Sequence, residues 1–277
     1  MRAASGGSGT NALQTIRNSL GGLWQFRQVL IATTRIELKK RYAGTYLGPL
    51  WLVIYPALFL SMYMFLYMVI FKVRFPDLSE FSYVVMVFCG LVPYLALMES
   101  ASTATSVIRQ NIHLVKNVML PIDLIPARVV LVALAAQIPG LVILIVLTAI
   151  DGTITAKLAL LPVVWLLEAL FLFGVAFYLA ALGGLLPDLQ SAINIILIFL
   201  LFISPIGFPS GTAPESARLA LALNPMTHLI DMFRSVLLAQ QPLDWRDMAG
   251  FAAGSILLFA TGLVFFSRFK GYIVDHE

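Results

Sequence analysis

Charged side chains are scarce in this chain. Only 12% of its 277 residues are Asp, Glu, Lys or Arg, whereas 60% are hydrophobic. A soluble domain carries roughly a quarter charged residues, so the composition excludes an ordinary soluble protein. The few charges lie in short intervals between long apolar runs, which is typical of a polytopic membrane protein. The net charge of +4 is small and gives no indication of nucleic acid binding.

Motifs for catalysis and metal binding are also lacking. The chain has a single cysteine, Cys89, which excludes an internal disulfide bond. It has no Gly-x-x-x-x-Gly-Lys-Ser/Thr phosphate loop and no His-Glu-x-x-His zinc motif. Its three histidines fall in different intervals between the apolar runs. We therefore predict no enzyme site and no metal site in this chain.

Long apolar segments predict six transmembrane helices, because about 20 apolar residues cross the hydrocarbon layer of a membrane. They lie at about residues 50–71, 81–108, 129–150, 158–182, 189–206 and 248–267. We expect an all-α membrane protein, with residues 1–19 as a flexible cytoplasmic terminus and residues 20–277 as one transmembrane domain. Glu99 and Glu168 interrupt two of the segments. Each either faces a polar lumen or a partner, or is a hydrogen-bonded carboxylate between helices.

Two amphipathic stretches flank these segments on the side of the termini. Residues 20–42 have an apolar face at helical spacing and end in a basic cluster, which predicts a helix lying in the membrane interface. Residues 111–126 predict a second, shorter amphipathic helix, which prolines within the stretch would stop. The apolar face of this shorter helix needs lipid, the rest of the chain or a partner protein to cover it.

Residues 207–246 differ from the other intervals in length and in composition. Prolines and glycines at their start exclude one continuous helix, and Asn224 followed by Pro225 predicts the start of another. We expect a pair of short re-entrant helices, dipping into the outer face or lying on it. The apolar face of the second helix, with Leu229 and Phe233, is expected to pack on the first and fifth spans or on a second protomer.

The distribution of basic residues predicts the orientation. Six spans place both termini on one side, and twelve of the 18 Lys and Arg residues lie on that side. The positive-inside rule therefore places both termini in the cytoplasm.

Four motifs in register resemble a known family. Residues 35–51, followed by Tyr55-Pro56, resemble the opening signature of the type-2 ABC-transporter permeases that export polysaccharide. The matching order continues through residues 111–126, 187–190 leading to 204–205, and 224–235. The resemblance covers nearly all of the chain after residue 15. The family often has a basic residue where Pro187 stands here.

This resemblance implies a homodimer in the cytoplasmic (inner) membrane, working with two separate nucleotide-binding ATPase subunits. ATP and magnesium would be bound by those subunits, so no cofactor is expected in this chain. The substrate would be a lipid-linked polysaccharide such as O-antigen, capsule or teichoic acid. The residues expected to couple to the ATPase are Asn111, His113, Leu114, Val115, Lys116, Pro121 and Asp188. Those expected to form an external gate are Pro205, Asn224, Pro225, Leu229 and Phe233.

The basic cluster of the interface helix would then lie at the substrate entrance. The residues concerned are Arg35, Lys39, Lys40 and Arg41. They would attract the pyrophosphate of a lipid-linked substrate, since charge-assisted hydrogen bonds to phosphate are strong. The alternative is that they only anchor the helix to membrane lipids.

Aromatic residues recur at every fourth position along the first span. They are Trp51, Tyr55, Phe59, Tyr63 and Tyr67. Aromatic rings bind the apolar faces of sugars without a fixed register, so this row either lines a glycan channel or serves in helix packing. The tyrosines favour the channel, because their hydroxyl groups would need partners in hydrocarbon.

Three other functions remain open at this stage. A permease of the same architecture could export a drug or a small lipid. A membrane enzyme acting on polyprenyl-linked sugars would need an acidic or metal-binding cluster on a cytoplasmic loop. A secondary transporter usually has paired repeats and more helices.

Overall fold

The structure is a computed structural model that describes residues 12–72, 78–118 and 121–276, without the side chains of 42, 113–118 and 274–276. The described residues form helices and connecting turns with no strand, so the predicted all-α membrane protein is confirmed. The α-helices are α1 (Ala12–Gln25), α2 (Arg27–Tyr42), α3 (Trp51–Met64), α4 (Glu80–Ala104), α5 (Val107–Val118), α6 (Leu124–Ile150), α7 (Leu161–Leu185), α8 (Leu189–Ile203), α9 (Glu215–Leu223), α10 (Pro225–Leu237) and α11 (Trp245–His276).

Five helical segments among the described residues are long and apolar enough to cross a membrane. They are Gly48–Ile70, which is α3 with its flanking turns, then α4, α6, Ala156–Leu185 and Trp245–Ile273. The fifth of the six predicted spans is α8, which has only 15 residues. At 1.5 Å per residue it is roughly 22 Å long, shorter than a hydrocarbon layer of about 30 Å. Six crossings therefore stay a prediction.

Helix α4 forms the centre of the molecule. It contacts α3, α6, α7, α8 and α10, and most of its residues are buried. Helix α3 is the opposite case, because few of its residues are fully buried and much of its surface stays uncovered. The uncovered surface of α3 must therefore face lipid or another subunit.

The N-terminal helices differ from the prediction in two ways. Helix α1 begins at Ala12, inside the segment predicted to be flexible, because its apolar residues Ile16 and Leu23 pack against the core. Phe26 separates α1 from α2, so the predicted interface helix is two helices. The hydroxyl oxygens of Ser19 and Ser267 lie 3.3 Å apart, which joins the N-terminal helix to the C-terminal one.

Tertiary contacts also move the ends of several predicted segments. Helix α4 ends at Ala104, and α5 begins at Val107 rather than near residue 111. Helix α7 continues to Leu185, past the predicted end of the fourth span at 182, and so includes Gly183. Glycine is required there because any side chain would collide with the backbone of Thr105. Helix α11 continues to His276, well beyond the predicted end of the last span at 267.

Helices α9 and α10 form in the long interval before α11, but α10 packs differently from the expectation. Its main contact is with α4, and it also contacts α7 and α11 rather than lying chiefly on the first and fifth spans. Leu229 and Phe233 are fully buried in a single chain. The reason lies in α4, where Gly90 has no side chain and allows Ile230 to approach closely.

Candidate substrate cleft and flanking sites

A cleft of about 280 Å³ opens between the link from α2 to α3 and the helices α3, α4 and α6. Its wall includes three residues that the sequence predicted to contact substrate, namely Arg41, Trp51 and Tyr55. It also includes three polar residues that the sequence did not assign to the site, Thr45, Glu99 and Gln137. The remaining lining is mostly apolar, so a cation, a carboxylate, an amide and two aromatic rings face one space.

Arg41 and Glu99 form an ion pair at this cleft. Arg41 lies in the last turn of α2, and Glu99 lies near the end of α4, so the pair joins the interface helix to the central helix. The side chains are 41% and 21% exposed, respectively. Both side chains are therefore accessible from the cleft, and their opposite charges offset each other.

Gln137 extends the polar wall of the cleft into the helix bundle. Its amide nitrogen donates hydrogen bonds to both carboxylate oxygens of Glu168, at 2.9 and 3.0 Å. Its amide oxygen accepts a 3.0 Å hydrogen bond from the indole nitrogen of Trp165. Glu168 is fully buried. It is therefore a hydrogen-bonded carboxylate between α6 and α7, which is the second of the two predicted alternatives.

The aromatic row of the first span has two different environments. Trp51 and Tyr55 line the cleft, and the ring of Tyr55 lies 5.0 Å from that of Phe59. Farther along, Tyr63 is buried and its ring stacks on that of Tyr67 at 5.8 Å. The row therefore lines a cavity at one end and packs at the other.

Proline chemistry explains how Tyr63 is placed. Pro205 has no N–H, so it cannot donate to the carbonyl of Leu201 one helical turn earlier. The hydroxyl of Tyr63 lies 3.5 Å from that carbonyl oxygen. Pro205 itself is buried, in the turn that follows α8. This predicted gate residue is therefore part of the packing between α3 and the end of α8.

Three of the four predicted entrance residues do not line the cleft. Arg35, Lys39 and Lys40 lie on the exposed surface of α2, where they are available to lipid head groups or to an approaching substrate. Only Arg41 reaches the cleft.

The predicted coupling residues lie around α5 and the turn between α7 and α8. The guanidinium of Arg109 donates a 3.1 Å hydrogen bond to the carbonyl oxygen of Pro187, which joins the two elements. Asp188 is exposed just after this carbonyl. Asn111 accepts a 2.7 Å hydrogen bond from Arg128 of α6.

The other predicted coupling residues are less fully described. Pro121 is half-buried before α6. The side chains of His113, Leu114, Val115 and Lys116 lie outside the described part of the structure, although their backbone belongs to α5.

The predicted gate residues at the start of α10 form a helix cap. The side-chain oxygen of Asn224 accepts a 2.9 Å hydrogen bond from the backbone N–H of Met226, and its amide nitrogen donates to Ser204 at 3.0 Å. Pro225 is exposed at the first helical position, where its missing N–H costs nothing. The cap therefore ties α10 to the turn after α8.

Arg234 holds the same turn from inside. Its guanidinium donates to the carbonyl oxygens of Ile206 at 2.8 Å and Phe208 at 3.1 Å. Asp231 and Arg234 lie three positions apart, a spacing that predicts an exposed pair on one helix face, but the Arg234 side chain is only 1% exposed. Its charge is stabilised mainly by backbone carbonyls, with Asp231 3.7 Å away.

His228 connects α9, α10 and α11. Its Nδ1 lies 2.5 Å from a carboxylate oxygen of Asp247, and its Nε2 lies 2.9 Å from the carbonyl oxygen of Ala222. Both partners are acceptors, so only the protonated ring can donate to both. Burial lowers the pKa of His228, but the bond to Ala222 and the nearby carboxylates outweigh it and raise the pKa above its ordinary value. Burial also raises the pKa of Asp231, against opposing effects of Ser210 and Arg234.

The sequence profile described as ABC-2 type transporter matches residues 13–238. This range contains the cleft, α5 and both short helices. The chain belongs to the ABC-2 type transporter family. It is 32% identical to the O-antigen export system permease protein RfbA of Myxococcus xanthus over 250 residues, which cover 89% of this chain and 94% of the relative.

Other relatives of this ABC-2 chain carry related names. The O-antigen export system permease protein RfbA of Klebsiella pneumoniae is 24% identical over 87% of this chain and 92% of its own length. The polysialic acid transport protein KpsM of Escherichia coli is 26% identical over 73% of this chain and 78% of its own length.

Glu99 and Gln137 are two polar cleft residues on α4 and α6 that sequence reasoning did not place in the site of this ABC-2 chain. Glu99 did give a signal, because an ionisable residue inside an apolar span is a candidate functional residue. Its partner Arg41 is 58 positions away in the sequence. Gln137 is an uncharged residue within a clean apolar segment, and only the fold places it beside Trp51 and Tyr55.

Proposed function

We propose that this chain is the membrane-spanning permease subunit of an ABC transporter that exports a lipid-linked polysaccharide, of the O-antigen or capsular type. Transport would be driven by ATP hydrolysis on a separate nucleotide-binding subunit. The cleft is the observation that carries the proposal: Arg41 offers a cation for a phosphate group, and Trp51 and Tyr55 offer rings for sugar faces. The names of the relatives support the same substrate class.

Contact with the ATPase would involve α5 and the turn at Pro187 and Asp188. In the described structure Arg109 ties these two elements together, which supports a single docking surface. Arg109 also supplies positive charge beside Pro187, where the family often has a basic side chain. We place this surface, and both termini, in the cytoplasm.

A gate would be formed on the outer face by α9, α10 and the turn after α8. Most residues of α10 are buried, whereas most residues of α9 are exposed, including Leu219 and Leu223. We therefore assign the moving part to α9 and the fixed part to α10. The apolar residues on α9 would cover the channel of the homodimer at rest.

Purification and transport assays test the proposal. The permease and its ATPase, expressed together, are expected to co-purify, and ATP hydrolysis is expected only with the ATPase present. In inverted membrane vesicles, ATP should drive a lipid-linked glycan into the lumen, where it becomes protected from added glycosidase. Glycan that stays accessible, despite ATP hydrolysis by an intact complex, would overturn the proposal.

The same vesicles separate glycan export from export of a small lipid or drug. The modest volume of the cleft also suits a small lipid, so a fluorescent short-chain phospholipid is the comparison substrate. We expect ATP-dependent protection of the glycan and none of the phospholipid. The reverse result would identify a small-lipid exporter.

A further inference from the structure

The ion pair between Arg41 and Glu99 has a consequence for how the cleft accepts a ligand. Among the residues that line it, these two are the charged ones, and each neutralises the other. A neutral cleft with apolar walls has little attraction for an anion. The cation that would bind a phosphate group is thus occupied by a carboxylate of the protein itself.

We propose that Glu99 is an internal substitute for the substrate's anionic group, and that a phosphate carried on a lipid displaces it from Arg41. The inference rests on the proposed function and names a residue that sets the affinity of its site. Glu99 would hold Arg41 in position when no substrate is bound. Only an anion with a higher charge than a carboxylate would then displace Glu99.

Exposure makes this exchange feasible. Breaking a buried ion pair is strongly destabilising, because it leaves an uncompensated charge, whereas an exposed pair contributes little. Both side chains are partly accessible at the cleft, Arg41 at 41% and Glu99 at 21%. The displaced carboxylate can therefore be hydrated at the mouth of the cleft. A pyrophosphate carries more negative charge than a carboxylate and makes strong hydrogen bonds to a guanidinium.

The alternative role for Glu99 is purely structural, as the residue that fastens α2 to α4. The two roles predict opposite effects of Glu99→Gln on ligand binding. If Glu99 is a displaceable anion, the Glu99→Gln substitution strengthens binding, because the ligand no longer competes with a carboxylate for Arg41. If Glu99 only fastens α2 to α4, its removal loosens the position of Arg41 and weakens binding or leaves it unchanged.

Binding of radiolabelled farnesyl pyrophosphate to the purified full-length permease in phosphatidylcholine nanodiscs tests the proposal. We expect Glu99→Gln to lower the dissociation constant about tenfold, as for removal of one competing charge at close range. Arg41→Gln, alone or combined with Glu99→Gln, should abolish the binding of farnesyl pyrophosphate. Glu37→Gln is the matched control, because Glu37 is also on this side of the protein but lies outside the cleft, 4.0 Å from Arg128. It should leave the dissociation constant unchanged.

Each result decides a separate question. Equal tightening by Glu37→Gln and Glu99→Gln would overturn the proposal, since it would reflect only net charge. Binding that needs Arg41 but is not strengthened by Glu99→Gln would overturn the displacement while leaving the proposed export function intact. No binding by any variant, together with ATP-driven glycan transport in vesicles, would overturn the phosphate site but not export.

The lipid that carries the phosphate is identified by competition. In nanodiscs that contain phosphatidylglycerol, unchanged binding of farnesyl pyrophosphate would assign the site to the pyrophosphate of a polyprenyl carrier. Loss of binding would assign it to the head group of a bilayer lipid, displacing Glu99 by the same chemistry.

Discussion

At the scale of single residues, Arg234 is the clearest case of a charge inside the protein. Its side chain is 1% exposed, and it binds the turn after α8 through the carbonyls of Ile206 and Phe208. Arg234→Met removes these donors and leaves buried acceptors without partners, so we expect a loss of about 3 kcal/mol in stability. Thermal unfolding of the purified permease in detergent measures the change.

Arg218→Met is the matched control for this substitution. Arg218 lies on α9, is 66% exposed and pairs with Glu215 in the same helix turn, at 3.6 Å. Such a pair contributes little, and the change is expected to stay below about 0.5 kcal/mol. Equal loss from both substitutions would show that Arg234 does not hold the turn.

The sequence did not predict that Arg234 is buried. Asp231 and Arg234 lie three positions apart, and helical periodicity alone suggested an exposed pair. Arg234 is instead buried, because the turn after α8 folds back over it and presents carbonyl oxygens. A contact between residues 26 to 28 positions apart through an irregular turn leaves no periodic signal.

At the scale of helices, the contact between α7 and α11 depends on close approach at Gly174. A side chain there would place its Cβ 2.8 Å from the backbone of Leu258 and Phe259. Gly174→Ala must therefore push the helices apart, and we expect a loss of roughly 2 kcal/mol. The thermal midpoint of the detergent-solubilised protein should fall accordingly.

Gly254→Ala in α11 provides the comparison. Nothing lies within 4 Å of a Cβ at this position, so the substitution only improves helix propensity, by up to about 1 kcal/mol. An unchanged or raised thermal midpoint is expected. If Gly174→Ala were equally harmless, the two helices would not be in close contact at that point.

The contact among α9, α10 and α11 should respond to pH through His228. Its pKa is raised in the folded protein, so its contribution to stability is present below its unfolded pKa of about 6.5. That contribution is lost as the pH rises through the folded pKa. We expect the thermal midpoint to fall as the pH rises above about 6.5, and to fall less in His228→Gln. Asp231 remains in the variant, and since His228 lowers the pKa of Asp231, the difference between the two proteins reports the histidine together with its effect on that carboxylate.

Helix positions were more predictable than helix ends. The apolar runs located the helical segments because hydrophobicity over about 20 residues is a strong signal. The ends depend on contacts distant in sequence, such as Lys270 of α11 donating a 2.7 Å hydrogen bond to Asp123 before α6. Helix α8 shows another limit, because Pro205 ends its regular hydrogen bonding before the apolar run ends.

At the scale of the whole molecule, the cleft was predicted only in part. Arg41, Trp51 and Tyr55 were selected from one continuous stretch, and they share a cavity because α2, α3 and their link turn around it. Glu99 and Gln137 come from two other helices, and only packing brings them to the same wall. Sequence therefore identified the wall formed by neighbouring residues and missed the wall formed by distant ones.

The uncovered face of α3 and α8 leads to a prediction about assembly. Phe65 beside α3 is 58% exposed and Phe199 of α8 is 66% exposed. In a symmetric homodimer the same face of each copy meets its counterpart, so residues near the two-fold axis approach their own copies. We predict that α3 and α8 form this dimer contact, with aromatic packing in place of lipid.

Cysteine crosslinking in native membranes checks this prediction. With buried Cys89 replaced by alanine, Phe65→Cys and Phe199→Cys should each give a covalent dimer with a short bis-maleimide. Val146→Cys is the control, because Val146 is 51% exposed on α6, away from the proposed contact. Efficient dimer formation through Val146→Cys, with none through the two aromatic positions, would move the interface to α6. The cleft also borders α3, so crosslinks through the aromatic positions would place the two clefts on either side of a shared central passage.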